Sequence, residues 1–291
     1  MRNGRIIVDI HAHVEHIDSE DRLSPGEFVS FMDAGGIDKS VILGGDQVDA
    51  GSKPVWCDPT EIKVPTNFDD DQVAQFCSEF PDRLIGFGSI HPDRHRPERK
   101  VRRAIEELGL AGIKLYPHAG FYPNDPRLDL VYQTCTDLKV PVMIHTGAKA
   151  ARWQLLKYNR PIYVDEVATR FPRLQIIMCH GGFPWYDEFL AVAHSNPNIH
   201  VDITWIDCLE RVFHRPGSAE QVVRELTQII GVERILWGSE GPVMDLPLYG
   251  THGPENYSKS MDFLVERFDF LSESDKTAIL GENALRLLNL S

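Results

Sequence analysis

Eight short apolar runs recur along the 291-residue chain, with a helical pattern after most of them. Because parallel strands need helical crossovers, this alternation predicts a parallel sheet covered by helices. Strands that are apolar throughout, in eight repeats, favour a closed (β/α)8 TIM barrel of the α/β class over an open doubly wound sheet. The predicted strands are Ile6 to His11, Lys39 to Leu43, Leu84 to Ile90, Ala111 to Tyr116, Pro141 to His145, Leu174 to His180, Ile199 to Thr204 and Ile235 to Gly238.

The sequence predicts a single domain over residues 1–291. It contains neither a Gly-x-Gly-x-x-Gly fingerprint nor a phosphate loop, the motifs that would support an open nucleotide-binding sheet. No linker-like or low-complexity stretch divides the chain. The longest irregular segment, Gly44 to Asn67, follows the second predicted strand, and we expect it to be a lid.

Charge and composition narrow the classes of partner. A formal net charge of −13 repels phosphate backbones and anionic lipids, so we expect neither a nucleic-acid nor a membrane partner. The first residues lead straight into a strand without a signal-peptide pattern, and we expect a cytoplasmic location. The main expected partner is a small-molecule substrate. A homodimer through the outer helices is compatible with a barrel.

Polar side chains stand at the ends of the predicted strands, where barrel enzymes place their chemistry. His11 and His13 lie two residues apart, so strand alternation points both imidazoles to one face, as half a metal site requires. The same end of the barrel should receive Lys114, His145, His180 and Glu240 from four other strands. Imidazole, carboxylate and amine groups from different strands suit a divalent metal. Alternation predicts that Cys179 points away from His180.

Six motifs, in order along nearly the whole chain, make the sequence resemble the amidohydrolase superfamily. The resemblance is strongest to its amidohydrolase-related branch, which holds metal-dependent hydrolases and the aminocarboxymuconate-semialdehyde decarboxylase group. The motifs are Val8-Asp-Ile-His-Ala-His13, Gly112-Ile-Lys-Leu-Tyr-Pro117, Met143-Ile-His-Thr-Gly147, Cys179-His-Gly-Gly182, Trp237-Gly-Ser-Glu-Gly-Pro242 and Glu282-Asn-Ala-Leu-Arg-Leu-Leu288.

The resemblance implies one divalent metal, zinc first and manganese second. It makes His11, His13 and His145 ligands, with His180 a catalytic imidazole or a ligand of a second metal. Family members usually place an aspartate after Gly-Ser in the eighth-strand motif, as ligand and proton carrier, whereas this chain has Glu240. Glutamate keeps the charge, so we expect Glu240 to serve as ligand and catalytic group.

Lys114 has three interpretations. In binuclear members of the superfamily a fourth-strand lysine is carbamylated and bridges two metals. Lys114 could instead bind a substrate carboxylate, or pair with a nearby acid. We expect one metal and a substrate-binding Lys114, with His118, Arg152 and Trp185 as further substrate-binding residues.

Two reactions fit such a site. The first prediction is hydrolysis, in which a metal-activated water attacks an amide, ester or lactone carbonyl and Glu240 takes its proton. The alternative is non-oxidative decarboxylation of a small aromatic or unsaturated carboxylic acid, which Lys114 and Arg152 as carboxylate clamps would favour. A third hypothesis is a binding protein on the same barrel, altered by the exchange to Glu240.

Overall fold

Eight parallel strands lie side by side in chain order in the described part of the computed structural model, which confirms the predicted barrel. They are β1 Val8–Ala12, β2 Lys39–Leu43, β3 Leu84–Ser89, β4 Gly112–Leu115, β5 Val142–Ile144, β6 Ile176–Met178, β7 Ile199–Asp202 and β8 Ile235–Leu236. Each strand pairs in parallel with the next in the sequence. The strands' carboxyl ends therefore meet at one face of the molecule.

Helices connect the strands and cover the outside of the barrel. They are α1 Pro25–Gly35, α2 Asp70–Ser78, α3 Pro97–Arg102, α4 Asp129–Leu138, α5 Ile162–Arg170, α6 Tyr186–Ser195, α7 Ser218–Ile229, α8 Glu273–Thr277 and α9 Asn283–Leu287. Local sequence fixes where several of them begin and end. Ser24 caps α1 in a capping box with Glu27, and Gly36 ends it in the left-handed conformation with φ 71°.

Alternation along the strands divides the apolar side chains into two buried clusters. One fills the barrel interior and includes Val8 and Ile10 of β1, Val41 and Leu43 of β2, and Phe87 of β3. The other, larger cluster packs the opposite strand faces against the helices. The interior is therefore a packed core that leaves its polar residues at the strand ends.

Helix α9 covers the amino-terminal end of the barrel. Ala284 and Leu288 belong to the interior cluster. The Asn283 amide donates to the carbonyls of Val232 and Ile235, at 2.8 Å each, and so joins the helix to the start of β8.

Backbone hydrogen bonds between β1 and the segment that begins at β8 close the barrel. Ile10 N donates to Trp237 O at 3.1 Å, and Glu240 N donates to His11 O at 2.8 Å. His13 N in turn donates to Glu240 O at 3.3 Å. Closure of the sheet thus brings two of the predicted metal-binding segments side by side.

The structure describes residues 4–14, 22–45, 68–149, 153–207, 210, 214–241, 261, 264 and 267–290. Most of the predicted lid, residues 46–67, and Arg152 lie outside these ranges. None of the helices within them has the length and apolar character needed to cross a membrane. The single-domain organisation stays a prediction.

Candidate active site

His11 is fixed at the end of β1 by a carboxylate on β7. Its Nδ1 lies 2.6 Å from Asp202 Oδ2, and both side chains are buried. Burial raises the pKa of Asp202 to about 6, which leaves it ionised at neutral pH. A carboxylate accepts hydrogen bonds, so His11 carries its proton on Nδ1 and presents the Nε2 lone pair to the barrel mouth.

A second buried carboxylate, Asp9, holds three neighbouring segments together. It accepts hydrogen bonds from His11 N at 3.1 Å and from the Ser40 hydroxyl at 3.2 Å. Ser239 donates to it twice, from its backbone N–H at 2.9 Å and from its hydroxyl at 2.6 Å. Asp9 thus fixes the backbone on both sides of the pair formed by His11 and Glu240.

Glu240 follows β8 in the left-handed conformation, with φ 71°. Its carboxylate reaches two imidazoles: Oε2 lies 3.3 Å from His11 Nε2, and Oε1 lies 3.7 Å from His13 Nε2. One ligand atom from each of these three residues lies within 4.8 Å of the other two. Gly241 permits the turn, because a Cβ there would lie 2.4 Å from His13 O.

His180 turns back towards the mouth immediately after β6. Its φ is 62°, and Gly181 and Gly182 also have positive φ. Its Nε2 lies 3.2 Å from His145 Nδ1, and its Nδ1 lies 3.8 Å from Glu240 Oε2. Non-glycine residues in the left-handed region are sparse and cluster at functional sites.

Lys114 and Cys179 lie below these histidines, in the floor of the site. The Lys114 ammonium is fully buried, 3.1 Å from Cys179 Sγ and 3.4 Å from His11 Nε2. Among the described residues, no carboxylate oxygen lies within 4.0 Å of it. The described residues therefore give this buried amino group no ion pair, an arrangement that costs stability.

Burial lowers the pKa values of the site histidines and raises that of the glutamate. Burial, followed by the charge of Lys114, lowers the pKa of His13 and of His145 to about 3. The same two causes hold the pKa of His11 well below its usual range. Burial raises the pKa of Glu240 to about 8. The histidines are therefore neutral at physiological pH, which is the form that binds metals.

Two buried polar atoms show that the site suits a cation. Within the described ranges, His180 Nδ1 and Glu240 Oε2 have no hydrogen-bond partner. Buried polar atoms without partners are uncommon in native proteins. A metal ion held by imidazole nitrogens and a carboxylate would satisfy such atoms, so the donor set fits the cofactor predicted from the sequence.

The structure brings most of the predicted site residues together at one mouth. His145 contacts His180, and its Nε2 lies 2.9 Å from Ala148 O. It does not belong to the cluster of donor atoms from His11, His13 and Glu240. The ring of His118 lies 4.5 Å from that of His145, and its Nε2 is 2.9 Å from the Gln154 side-chain amide. Trp185 is half-buried just before α6.

Sequence reasoning missed two members of the site. Asp202 ends β7, so the strand-end argument applied to the other residues would have found it. Alternation predicted that Cys179 points away from His180, and this was wrong: their donor atoms and one of His11 lie within 4.8 Å of one another. The left-handed turn at His180 ends the alternation and returns its ring to the side of Cys179.

Comparison with known proteins connects the whole chain to one family. A family model described as Amidohydrolase matches residues 8–290. A 2-amino-3-carboxymuconate-6-semialdehyde decarboxylase from Dictyostelium discoideum is 27% identical over 266 residues, covering 81% of this chain and 69% of its own length.

Solved structures share the fold at low identity. A 5-carboxyvanillate decarboxylase from Novosphingobium aromaticivorans, complexed with manganese and 4-hydroxy-3-methoxy-5-nitrobenzoic acid, superposes with a TM-score of 0.67 at 17% identity, over 99% of this chain and 97% of the other. A probable 2-pyrone-4,6-dicarboxylic acid hydrolase from Acinetobacter baumannii gives a TM-score of 0.65 at 15% identity, over 98% and 99%.

Proposed function

The chain belongs to the amidohydrolase family, and on that premise we propose that it is a metal-dependent decarboxylase of a small unsaturated or aromatic carboxylic acid. One observation carries the choice of reaction. The buried Lys114 ammonium, which has no carboxylate within 4.0 Å in the described structure, adds positive charge beside a metal-binding set of side chains. A site with this charge favours an anionic substrate.

The comparisons favour decarboxylation over the hydrolysis that the sequence analysis placed first. A relative that matches 81% of this chain is named as a decarboxylase of a carboxylated, unsaturated substrate. A solved structure with the same fold is a decarboxylase of an aromatic acid. Hydrolysis remains the second candidate, because another similar structure is named as a probable hydrolase.

We assign the metal to His11, His13 and Glu240, whose donor atoms already cluster. His145 would complete the set by releasing its hydrogen bond to Ala148 O. Zinc is our first expectation, and manganese, which the 5-carboxyvanillate decarboxylase structure contains, is our second. When bound, the metal would act as a Lewis acid on a substrate oxygen.

The chain's own residues would then orient the substrate and supply a proton. Lys114 attracts the substrate carboxylate, and we propose His118, Arg152 and Trp185 as further substrate contacts. His180 lies beside Glu240 and would polarise a substrate oxygen through a ring nitrogen. The carbon–carbon bond to the carboxylate breaks, CO2 leaves, and the electron pair left on carbon takes a proton carried by a Glu240 oxygen.

The test compares two reaction panels on the purified protein loaded with zinc or manganese. CO2 release is measured from aromatic and unsaturated carboxylic acids, and formation of the hydrolysed product from lactones, esters and amides is measured by liquid chromatography with mass spectrometry. We expect CO2 release, at least about 100-fold slower in Glu240→Gln and unchanged in the half-buried control Glu225→Gln on helix α7.

Three outcomes would contradict the proposal. Turnover in the second panel alone would return hydrolysis to first place. Metal binding without turnover in either panel would favour the binding-protein hypothesis. A protein that takes up neither metal would remove the premise of the mechanism. The cytoplasmic location and the homodimer remain predictions from the sequence.

A further inference from the structure

A second cavity lies at the amino-terminal end of the barrel, away from the mouth. Its volume is about 500 Å³, which is in the range of sites that bind small molecules. It forms where the starts of β6 and β7 meet the ends of α4 and α9, and we call it the basal cavity. Its lining includes Lys139 and Val140 after α4, Arg173 and Leu174 before β6, and Arg286 and Leu287 of α9.

The basal cavity carries positive charge in a chain that is acidic as a whole. Lys139, Arg173 and Arg286 line it, and its described lining residues include no Asp or Glu. None of these three cations lies within 4.0 Å of a carboxylate oxygen of the described residues. The whole chain, by contrast, has 43 acidic residues and 30 basic ones. The local charge therefore favours an anionic ligand.

Helix ends account for only part of this positive charge. Lys139 is the cap residue that follows α4, and Arg286 lies in the last turn of α9. Cations stabilise such positions, because each helix C-terminus carries about half a negative charge. Two helix ends thus offset about one of the three cations. The other charges are sufficient for a ligand with two negative charges.

His200 adds a buried polar atom to the lining of the basal cavity. It is the second residue of β7, and its Nε2 lies 3.0 Å from Gln175 Oε1. The amide oxygen accepts, so Nε2 carries the proton and Nδ1 offers a lone pair. Among the described residues, this Nδ1 has no hydrogen-bond partner. Because such atoms are uncommon in native proteins, a ligand that carries a proton on an acidic oxygen would suit the cavity.

We propose that the basal cavity binds a small phosphate monoester. Lys139, Arg173 and Arg286 would hold its phosphate, a group that arginine recognises through paired hydrogen bonds. A phosphate monoester loses its second proton near pH 6, so it carries up to two negative charges and still presents a proton to His200 Nδ1 part of the time. No metal is needed for this recognition.

The rest of the lining fits the organic part of such a ligand. Val140, Leu174 and Leu287 form an apolar wall of the basal cavity. Arg286 is held in place from behind, because its Nη2 donates to Glu233 O at 2.7 Å and to Asn283 Oδ1 at 2.8 Å. In the described structure its Nε and Nη1 make no hydrogen bond to the protein, so they remain available to a phosphate.

The basal cavity and the proposed active site lie at opposite ends of β7. His200 is near the start of the strand, and Asp202, which contacts His11, is at its end. A ligand in the basal cavity would therefore not touch the reacting atoms. The inference goes beyond the proposed function and does not depend on it.

Isothermal titration calorimetry of the metal-free protein with phenyl phosphate tests the proposal. We expect one site per chain, and at least about 10-fold weaker binding in Lys139→Gln/Arg173→Gln, because hydrogen bonds to a charged group are lost. The matched control, Arg99→Gln/Arg215→Gln, removes two exposed cations that do not line the cavity and should bind as the wild type does. Circular dichroism of each variant confirms that the barrel is folded.

Further titrations locate the site and identify the group that it recognises. Lys114→Met should bind phenyl phosphate as the wild type does, because Lys114 lies in the floor of the active site. Isophthalate, which has two carboxylates on the same ring, should bind at least about 10-fold more weakly, since it has no proton to donate at neutral pH. Inorganic phosphate should also bind more weakly, because it leaves the apolar wall uncovered.

Several outcomes would overturn the proposal. A wild-type protein that does not bind phenyl phosphate would remove it. Unchanged affinity in Lys139→Gln/Arg173→Gln, or loss of binding in Lys114→Met, would place the ligand outside the basal cavity. Equal weakening in the two double variants would show only an effect of net charge, and equal affinity for isophthalate would overturn the choice of phosphate. None of these outcomes alters CO2 release, so the proposed function is tested separately.

Discussion

The imidazole of His11 lies between two carboxylates. Asp202 contacts Nδ1 at 2.6 Å, and Glu240 lies 3.3 Å from Nε2. Asp202 itself accepts hydrogen bonds from the backbone N–H of Thr204 at 2.7 Å and from its hydroxyl group. This chain of contacts fixes the ring plane and the position of the proton, so that a single lone pair faces the proposed metal.

Asp202→Asn should weaken metal binding without removing a ligand. The amide keeps the size of the side chain but loses the charge that favours the proton on His11 Nδ1. We expect zinc affinity to fall about 10- to 100-fold, as is usual when an outer partner of a metal-binding histidine is lost. Competition with a chromophoric chelator measures it. Asp187→Asn, on the exposed side of α6, should change nothing, and equal affinity in both variants would contradict the argument.

At the scale of secondary-structure elements, the strands follow from local sequence, but the turns after them do not. The predicted second strand, Lys39 to Leu43, matches the observed one, because its apolar run is bounded by turn residues. The first was predicted from Ile6 to His11 but runs from Val8 to Ala12, since Ile7 N bonds the Asp38 side chain instead of joining the ladder. The left-handed turns at His180 and Glu240 depend on tertiary contacts that no local pattern encodes.

The glycines after β6 allow His180 to return to the mouth. Gly182 has φ 70°, and a Cβ there would lie 2.5 Å from Phe189 Cβ. Gly217 has a similar φ of 80°, and no atom of the described residues lies within 4 Å of its virtual Cβ. Gly217→Ala should therefore cost only the left-handed strain of about 1 kcal/mol, and Gly182→Ala at least about 2 kcal/mol more.

Chemical denaturation of the two variants measures these differences in the free energy of unfolding. Zinc binding should weaken in Gly182→Ala alone, because only that turn positions a site residue. Equal destabilisation would show that the contact with Phe189 is relaxed without cost.

His200, on β7, should make stability depend on pH. Its Nε2 lies 3.0 Å from Gln175 Oε1, and its Nδ1 is buried without a hydrogen-bond partner among the described residues. Burial, followed by the charges of Arg234 and Arg286, lowers the pKa of His200 from 6.5 to about 4. The unfolded chain thus binds more protons between these values, and stability is lost as the pH falls from about 6.5 towards 4.

The variant His200→Gln removes this contribution. The unfolding free energy of the metal-free protein should drop less between pH 7 and pH 5 in the variant than in the wild type, by about 1 to 2 kcal/mol. Urea unfolding at the two pH values gives both differences. Equal decreases in the unfolding free energy of the two proteins would show that His200 does not destabilise the folded state at low pH.

At the scale of the whole molecule, the order of the strands brings residues that are far apart in sequence to one polar mouth of the barrel. The sequence predicted the architecture, and it predicted most of the mouth residues because barrel strands direct them there. It did not predict the contact of Lys114 with Cys179, because side-chain distances across the barrel depend on register and on ring orientation.

Metal binding should stabilise the whole barrel. A metal present at about 100 times its dissociation constant adds about 2.7 kcal/mol to the free energy of unfolding, which is a shift of several degrees in Tm. Thermal unfolding with zinc and after chelation measures the shift. His11→Ala should abolish it, and a zinc-dependent shift that persists in His11→Ala would place the stabilising metal elsewhere.

The hydrogen bonds between His11, His13 and Glu240 that close the barrel have a consequence for biosynthesis. The ribosome releases the first strand early, and the chain must grow by most of its length before Glu240 emerges. Until then the Nε2 atoms of His11 and His13 have no Glu240 carboxylate near them. We therefore expect the metal to bind only after the sheet is complete. A nascent chain that ends before Glu240 should retain no zinc, so a bound ion would indicate that the barrel has closed.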